Sequence, residues 1–233
     1  MHKIAIDADA LAYGRNLRDG RERVFDSLDL QRTAHIIVDL QNGFVEPGAP
    51  VEVPAAREII DNVNAISRAV RAGGGMNVFL QMTMTPESRQ SWSNWAYLNT
   101  KATGSGMGQS FAPGAHFWEL WPKLDVAAQD LKVSKTRFGA VVPGASDLHE
   151  ILQKRGIDTL IITGTLTNCC CESTARDAMQ MNYKLVFVSD ANAALTDAAH
   201  NGTLSNMAML FAEVIDTQAT VDLIASSRRL AAE

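Results

Sequence analysis

Short apolar runs that alternate with segments of helical periodicity constrain the fold of this chain more than any other feature of its sequence. The run at residues 159–163 lacks the polar alternation of a half-exposed strand and is typical of strands buried on both faces. The predicted elements follow the order β-α-β-β-α-β-α-β-α-β-α. This order predicts an α/β fold with one doubly wound, mainly parallel six-stranded sheet and helices on both faces. The predicted strands cover residues 34–38, 77–82, 130–135, 159–163, 184–190 and 214–217.

The length and composition suit a single globular domain preceded by an arm. The chain has 233 residues, of which 46% are hydrophobic, and this is enough for a sizeable core. Residues 1–30 are polar and without clear periodicity, so we predict an irregular N-terminal arm that lies on the surface or at a subunit contact. Residues 31–233 form the predicted α/β domain. Within it, one helix is predicted from Pro54 to about Ala72 and another from Cys170 to about Met181.

Net charge and cysteine content limit which binding partners and which cell compartment are expected for this protein. The net charge of -5 and the absence of a long basic run argue against nucleic-acid or anionic-membrane binding, and they favour a small or neutral substrate. The three cysteines are adjacent, so they build no disulfide framework and indicate a reducing compartment. No signal-like segment or run of eighteen apolar residues is found. We therefore expect a soluble, cytoplasmic protein.

The cysteines Cys169–Cys171 lie where a predicted strand gives way to a predicted helix. The open N-terminus of a helix offers unpaired N–H groups and a positive dipole, which stabilise a thiolate and a substrate oxyanion. A cysteine in an intracellular chain is, however, more often a small buried hydrophobic residue than a nucleophile. Position alone leaves both interpretations open.

Two charged residues end other predicted strands. Asp39 follows the first strand and Lys135 ends the third, and the carboxyl ends of parallel strands face the ligand crevice. Asp39 is a candidate catalytic carboxylate, or else it caps a turn. A lysine is usually a solvated surface charge, but Lys135 buried between Asp39 and a cysteine would favour the thiolate. Phe44 either walls a pocket or packs in the core.

The segment from residue 92 to 121 is irregular and rich in aromatic residues, which is typical of a pocket lid or a subunit contact. Its glycine-rich part, Gly104–Gly108, follows no strand and lacks the phosphate-binding pattern, so it does not favour nucleotide binding. The five histidines are scattered without metal-ligand spacing, and we interpret them as surface or core groups.

Three segments together resemble the isochorismatase-like cysteine hydrolases: residues 37–44, 135–138 and 164–178. The similarity runs from about Thr33 to Val221. It implies that the domain 31–233 has the isochorismatase-like hydrolase fold and that Asp39, Lys135 and Cys170 form a catalytic triad.

By the same resemblance, the N–H groups of Leu166 and Cys170 form an oxyanion hole, and a cis peptide joins Thr165 to Leu166. Cys169 and Cys171 fall on positions that are usually apolar in the family, so they are expected to pack. We expect the substrate pocket to be lined by Phe44, Trp95, Phe138 and Thr167.

The resemblance implies hydrolysis of a C–N bond, other than a peptide bond, in a small amide, ureido or N-carbamoyl compound through a thioester. No histidine follows the second strand before His116, unlike the metal-binding nicotinamidase-like members, so no metal or other cofactor is expected. Met82 and Met84 replace a polar and aromatic pair expected in ureidoacrylate hydrolases, which favours a different or more apolar substrate.

Three further points follow from the resemblance. A homo-oligomer, either a dimer or a tetramer, is expected. The alternative activity is isochorismatase-type hydrolysis of a non-amide bond, although true isochorismatases lack the nucleophilic cysteine that Cys170 would supply. The alternative outside enzymes is a catalytically silent binding protein, against which the intact set of Asp39, Lys135 and Cys170 argues.

Overall fold

The computed structural model describes residues 1–98 and 108–230 of the chain. Six strands form one sheet in the order β3-β2-β1-β4-β5-β6, and every pair of neighbours is parallel. The fold class predicted from the sequence is therefore confirmed. The strands are β1 (Thr33–Val38), β2 (Met76–Met82), β3 (Leu131–Lys135), β4 (Thr159–Thr165), β5 (Lys184–Ala193) and β6 (Glu213–Ile215).

Helices cover both faces of this sheet. The helices are α1 (Ala8–Leu17), α2 (Asn42–Val45), α3 (Ile60–Ala72), α4 (Pro86–Ser91), α5 (Ser93–Leu98), α6 (Leu148–Lys154), α7 (Glu172–Gln180), α8 (Asp197–Asn206) and α9 (Thr217–Leu230). Helices α3 and α9 pack against one face, and α6, α7 and α8 pack against the other. Side chains of β1 alternate between the two cores, since Ile37 joins the first, whereas Ile36 and Val38 join the second.

The centre of the sheet requires a glycine at the end of β4. Gly164 pairs with Val38 of β1 and has a φ of 122°. A Cβ atom at residue 164 would lie 2.1 Å from the Val38 carbonyl oxygen, so no larger residue fits without displacing the backbone. The strand order reverses between β1 and β4, which places the crevice of the sheet beside this glycine.

Several element boundaries differ from the sequence predictions. The segment 1–30, predicted to be irregular, contains helix α1, whose cap Asp7 accepts a hydrogen bond from the Ala10 N–H at 2.8 Å. The helix predicted from Pro54 is divided into a 3₁₀ turn at Pro54–Arg57 and α3. The helix predicted from Cys170 starts at Glu172, because Thr167–Cys171 forms a wider π-helical turn. Division of the chain at residue 30 stays a prediction.

Among residues 1–98 and 108–230, no helix has both the length and the apolar character needed to cross a membrane.

Candidate active site

The carboxyl ends of four neighbouring strands bring the predicted site residues together. Lys135 is the last residue of β3 and pairs in register with Met82, the last residue of β2. Asp39 follows β1 in a left-handed conformation with a φ of 51°. Cys170 lies in the π-helical turn that follows β4. The parallel register of the sheet therefore places an acid, a lysine and a thiol at one edge.

Asp39 and Lys135 form an ion pair inside the protein. The Lys135 Nζ atom is 2.8 Å from Asp39 Oδ2, and both side chains are fully buried. The same Nζ donates to the Arg137 carbonyl oxygen at 3.0 Å and lies 3.7 Å from Met82 Sδ. Lys135 is therefore a buried counterion whose three donors have partners, and the surface alternative for this residue is wrong.

Gln41 holds the end of β1 against the end of β2. Its side-chain nitrogen donates to the carbonyl oxygens of Met82 at 3.0 Å and Trp118 at 2.8 Å, and its side-chain oxygen accepts from the Met82 N–H at 2.8 Å. Gln41 is fully buried. The sequence analysis did not single out Gln41, because this role depends on its burial and on partners from distant parts of the chain.

Burial and charge shift the pKa values of this pair in ways that suit proton transfer. Burial raises the pKa of the Asp39 carboxyl, and the Lys135 ammonium offsets only part of that effect. Burial alone would lower the pKa of Lys135, but Asp39 and Cys170 together outweigh it and raise that pKa. Asp39 is consequently a stronger base than an exposed aspartate, and Lys135 remains a fixed positive charge.

The two neighbouring thiols Cys169 and Cys170 differ in environment. Cys170 is 2% exposed and interacts with Asp39 and Lys135, whereas Cys169 is only half-buried. A hydrogen bond with Cys169, together with burial, raises the pKa of Cys170. The same hydrogen bond lowers the pKa of Cys169. Cys170 is therefore a protonated thiol at rest, and it needs a base such as Asp39 to become a nucleophile.

A cavity of about 320 Å³ opens onto Cys170. Of the residues predicted to form the pocket, Phe44, Trp95 and Phe138 line it, and Leu166 of the predicted oxyanion hole also lies on its wall. The Thr165–Leu166 peptide is cis, as the resemblance implied. Thr167 is fully buried, and its hydroxyl is 2.8 Å from His200 Nδ1. The remaining lining residues are Val51, Glu52, Val53, Met82, Cys169 and Leu195.

Glu52 is the one charged residue among the described lining residues of this cavity. The Gly48 N–H donates to its carboxylate at 2.8 Å, and Arg57 forms an ion pair with it at 2.8 Å. The Gly48 N–H, and then Arg57, lower the pKa of Glu52. The charge is therefore compensated at the rim, and the rest of the wall is apolar. Residues 51–53 lie in a loop without periodicity, so no sequence signal placed them at the pocket.

Trp95 of α5 and Phe138 line one side of the cavity, and Trp92, which lies between α4 and α5, packs against both. Trp92 and Trp95 stack with their ring centroids 4.9 Å apart, and the Phe138 ring meets Trp92 edge-on at 4.8 Å. The Arg137 guanidinium lies 5.1 Å from the centre of the Trp92 ring. The predicted role of residues 92–121 as a lid or a subunit contact stays a prediction. Most of the glycine-rich stretch, Gly104–Met107, lies outside the described residues.

Within residues 1–98 and 108–230, no group of three or more histidine, cysteine, aspartate or glutamate side chains is arranged to hold a metal ion.

Comparisons with known proteins place this geometry in context. The family model described as the isochorismatase domain matches residues 33–219. Ureidoacrylate amidohydrolase RutB from Yersinia enterocolitica is 32% identical over 212 residues, which covers 85% of this chain and 91% of that protein. An uncharacterized isochorismatase family protein from Bacillus subtilis, YwoC, is 30% identical over 178 residues, covering 76% of this chain and 86% of that protein. The crystal structure of a cysteine hydrolase from Pseudomonas syringae superposes with a TM-score of 0.74 at 28% identity, covering 86% and 95% of the two chains.

Proposed function

Because this chain belongs to the isochorismatase domain family, we propose that it is a cysteine hydrolase that cleaves a C–N bond in a small amide, ureido or N-carbamoyl compound. The observation that carries the proposal is the fully buried Asp39–Lys135 ion pair beside the Cys170 thiol, at a cavity with largely apolar walls. Similarity to a ureidoacrylate amidohydrolase and to a cysteine hydrolase supports the same reaction class.

The first half of the reaction forms a thioester. Asp39 accepts the thiol proton of Cys170, and the resulting thiolate attacks the substrate carbonyl carbon. The N–H groups of Leu166 and Cys170 donate to the oxyanion that develops, a contribution worth roughly 10²-fold or more in rate. The carboxyl proton on Asp39 then passes to the substrate nitrogen as the C–N bond breaks. Ammonia or an amine leaves, and the acyl group stays on the Cys170 sulfur.

The second half consumes one water molecule. Asp39, again a carboxylate, takes a proton from water while the oxygen attacks the thioester carbonyl. The C–S bond breaks, the Cys170 sulfur regains a proton, and the acid is released. Throughout both halves Lys135 keeps its charge and compensates for the negative charge that moves between Asp39 and Cys170, because its pKa is raised.

The cavity favours small substrates with an apolar acyl or amine portion. Phe44, Phe138 and Leu195 offer apolar contacts, and the Glu52 carboxylate is tied to Arg57. Burying an uncharged group here gains hydrophobic free energy, whereas a substrate carboxylate among the described walls would lose its water without gaining a free cation.

The test is ammonia release from a panel of small amides, ureides and N-carbamoyl amino acids, with and without a chelator. We expect release from at least one class, unchanged by the chelator and lost in Cys170→Ala. The matched control is Cys171→Ala, which removes a buried thiol that does not line the cavity and should keep turnover within about three-fold of the native rate.

Two outcomes would contradict the proposal. Turnover that survives in Cys170→Ala but disappears in Asp39→Asn would contradict the thioester route and favour an isochorismatase-type reaction that needs no nucleophilic cysteine. No release from any member, together with alkylation of Cys170 no faster than that of an ordinary exposed cysteine, would indicate a binding protein on the same fold.

A further inference from the structure

An extended segment at the start of the chain is held by one face of helix α8. We name residues 2–7 the N-terminal strap. Asp197, Asn201 and Ser205 are spaced four residues apart, so their side chains project from the same face of the helix. The Ala5 N–H donates to Asn201 Oδ1 at 2.8 Å, and the Asp7 N–H donates to Ser205 Oγ at 2.9 Å. Asn201 Nδ2 in turn donates to the Lys3 carbonyl oxygen at 2.9 Å.

His2 inserts its ring at the end of this strap. The side chain is only 6% exposed, and its Nε2 atom accepts a hydrogen bond from the Ala194 N–H at 2.9 Å. Since Nε2 accepts, the proton of the neutral ring lies on Nδ1, which donates to Asp197 Oδ1 at 2.7 Å. The residue after Ala194 is Leu195, which forms part of the cavity wall. His2 therefore fixes the backbone at one edge of the pocket.

The His2 ring also covers His200. The two rings stack with their centroids 4.4 Å apart and an interplanar angle of 18°. Burial, and then the positive charge that His2 carries when protonated, lower the pKa of His200 to about 4. His200 is consequently neutral near pH 7, with one ring nitrogen that donates and one that accepts.

The hydrogen-bond partners of His200 determine which ring nitrogen donates and which accepts. Its Nε2 atom is 3.0 Å from the Ser189 carbonyl oxygen, which only accepts, so Nε2 carries the proton. Nδ1 must then accept, and the Thr167 hydroxyl donates to it at 2.8 Å. Thr167 follows Leu166 and begins the turn that carries Cys170. A directed series of hydrogen bonds thus runs from β5 through His200 into the nucleophile turn.

We propose that His200 is a positioning residue, which orients the nucleophile turn through the Thr167 hydroxyl, and that His2 of the N-terminal strap holds His200 in place. This inference rests on the proposed hydrolase function. Neither histidine touches the cavity, so both act through other residues: His200 through Thr167, and His2 through His200 and Ala194. The sequence offered no sign of this, because 165 or more positions separate His2 from each of its partners and from the turn.

A matched pair of variants at Thr167 tests the hydrogen bond itself. Thr167→Val keeps the shape of the side chain and removes the donor, and we expect kcat to fall roughly ten-fold or more while KM changes little. Thr167→Ser keeps the hydroxyl and should restore most of the native kcat. His2→Ala should lower kcat less than Thr167→Val does. A native kcat in Thr167→Val, or an equal loss in Thr167→Ser, would overturn the inference.

Two readouts do not depend on turnover. Nitrogen-15 NMR of the native protein should show His200 in the form protonated at Nε2, and the form protonated at Nδ1 would contradict the proposal even if Thr167→Val does not fold. Alkylation of Cys170 by iodoacetamide should slow in Thr167→Val and recover in Thr167→Ser. Should the native protein show no Cys170-dependent turnover, the proposed function fails, and these two measurements still decide the positioning role.

Discussion

Strand β3 has an ion pair at each of its ends, and the two pairs are built differently. Asp130 precedes the strand and binds Arg71, while Lys135 ends the strand and binds Asp39. The pair at the amino end keeps some contact with water, since the Arg71 side chain is 19% exposed. At the carboxyl end both side chains are fully buried. One strand therefore offers a direct comparison of two acids in ion pairs.

Asp130 has a complete set of hydrogen-bond donors. Arg71 contacts both of its carboxylate oxygens, at 3.3 and 2.6 Å, and Asn77 and the Ala127 N–H donate to it at 3.1 and 2.8 Å. Burial by itself would raise the pKa of Asp130, but these donors, with Arg71 first among them, lower it. Asp130 is thus committed to its charged form and stabilises the fold.

Asp39 has fewer hydrogen-bond donors than Asp130, although its carboxylate is more deeply buried. The Lys135 ammonium, and then the Cys170 thiol and the Met82 backbone N–H, lower the pKa of Asp39, and burial raises that pKa despite them. The difference between the two ends is that donors outweigh burial for Asp130, whereas burial outweighs donors for Asp39. Asp39, whose pKa is raised, can therefore accept a proton during a reaction. Asp130, whose pKa is lowered, stays ionised and cannot.

The largest expected effect is the loss of activity in Asp39→Asn. Asparagine keeps the shape of the side chain but takes no proton from Cys170, so we expect kcat to fall at least about 10³-fold. Turnover of the best amide substrate measures this, with circular dichroism to show that the variant is folded. Asp130→Asn, assayed at a temperature where it is folded, should stay within about three-fold of native. An equal loss of kcat in Asp39→Asn and Asp130→Asn would contradict the view that only the Asp39–Lys135 pair takes part in the reaction.

The next effect is on stability at the amino end. Asp130→Asn leaves Arg71 without its main counterion, and we expect the free energy of unfolding to fall by about 2–4 kcal/mol in urea denaturation. Asp125→Asn is the matched control. Asp125 also pairs with Arg71 and Arg68, but its side chain is 34% exposed, so its loss should cost under about 1 kcal/mol. A larger cost for Asp125→Asn than for Asp130→Asn would reverse this ranking.

The pH dependence should separate the two acids. Asp39 must be ionised to act as a base, and its pKa is raised, so kcat/KM should fall on the acid side at a pH above the ordinary aspartate value of 3.8. The pKa of Asp130 is lowered, so its contribution is present above 3.8 and is lost only as the pH falls through its lower folded-state value. The difference in unfolding free energy between native and Asp130→Asn should therefore persist at pH values where activity has already gone. A kcat/KM that begins to fall only below pH 3.8 would contradict the assignment of Asp39 as the base.

An effect smaller than that of Asp130→Asn should come from Asn77. Its side-chain nitrogen donates to Asp130 Oδ1 and to the Ser67 carbonyl oxygen, both at 3.1 Å. Asn77→Ala removes both hydrogen bonds and should lower the free energy of unfolding by about 1–2 kcal/mol, without altering kcat. Thermal unfolding and the amide assay measure the two quantities. A fall in kcat would mean that the two ends of β3 are coupled.

Much of the fold was predictable because its signals are local. Six apolar runs predicted six strands, and the acid, lysine and cysteine residues at the ends of three of them indicated the edge where the site lies. The roles assigned to Asp39, Lys135, Leu166 and Cys170 remain predictions, although the structure brings these residues to one place. Boundaries were less predictable, since helix α1 carries too weak an apolar pattern to be seen and the π-helical turn at Thr167–Cys171 has no signature of its own.

The sequence by itself determined the strand order along the chain and the two-faced packing of the sheet, because hydrophobic periodicity is a property of neighbouring positions. The choice of Cys170 as candidate nucleophile came from the resemblance to a known family. Only the tertiary structure decided that Lys135 is buried rather than solvated, that Val51, Val53 and Leu195 wall the cavity, and that Thr167 turns its hydroxyl to His200. The physical reason is that burial and hydrogen-bond partnership depend on what the folded chain brings from far away. His2 makes the point most clearly, since it meets its partners across more than 190 residues.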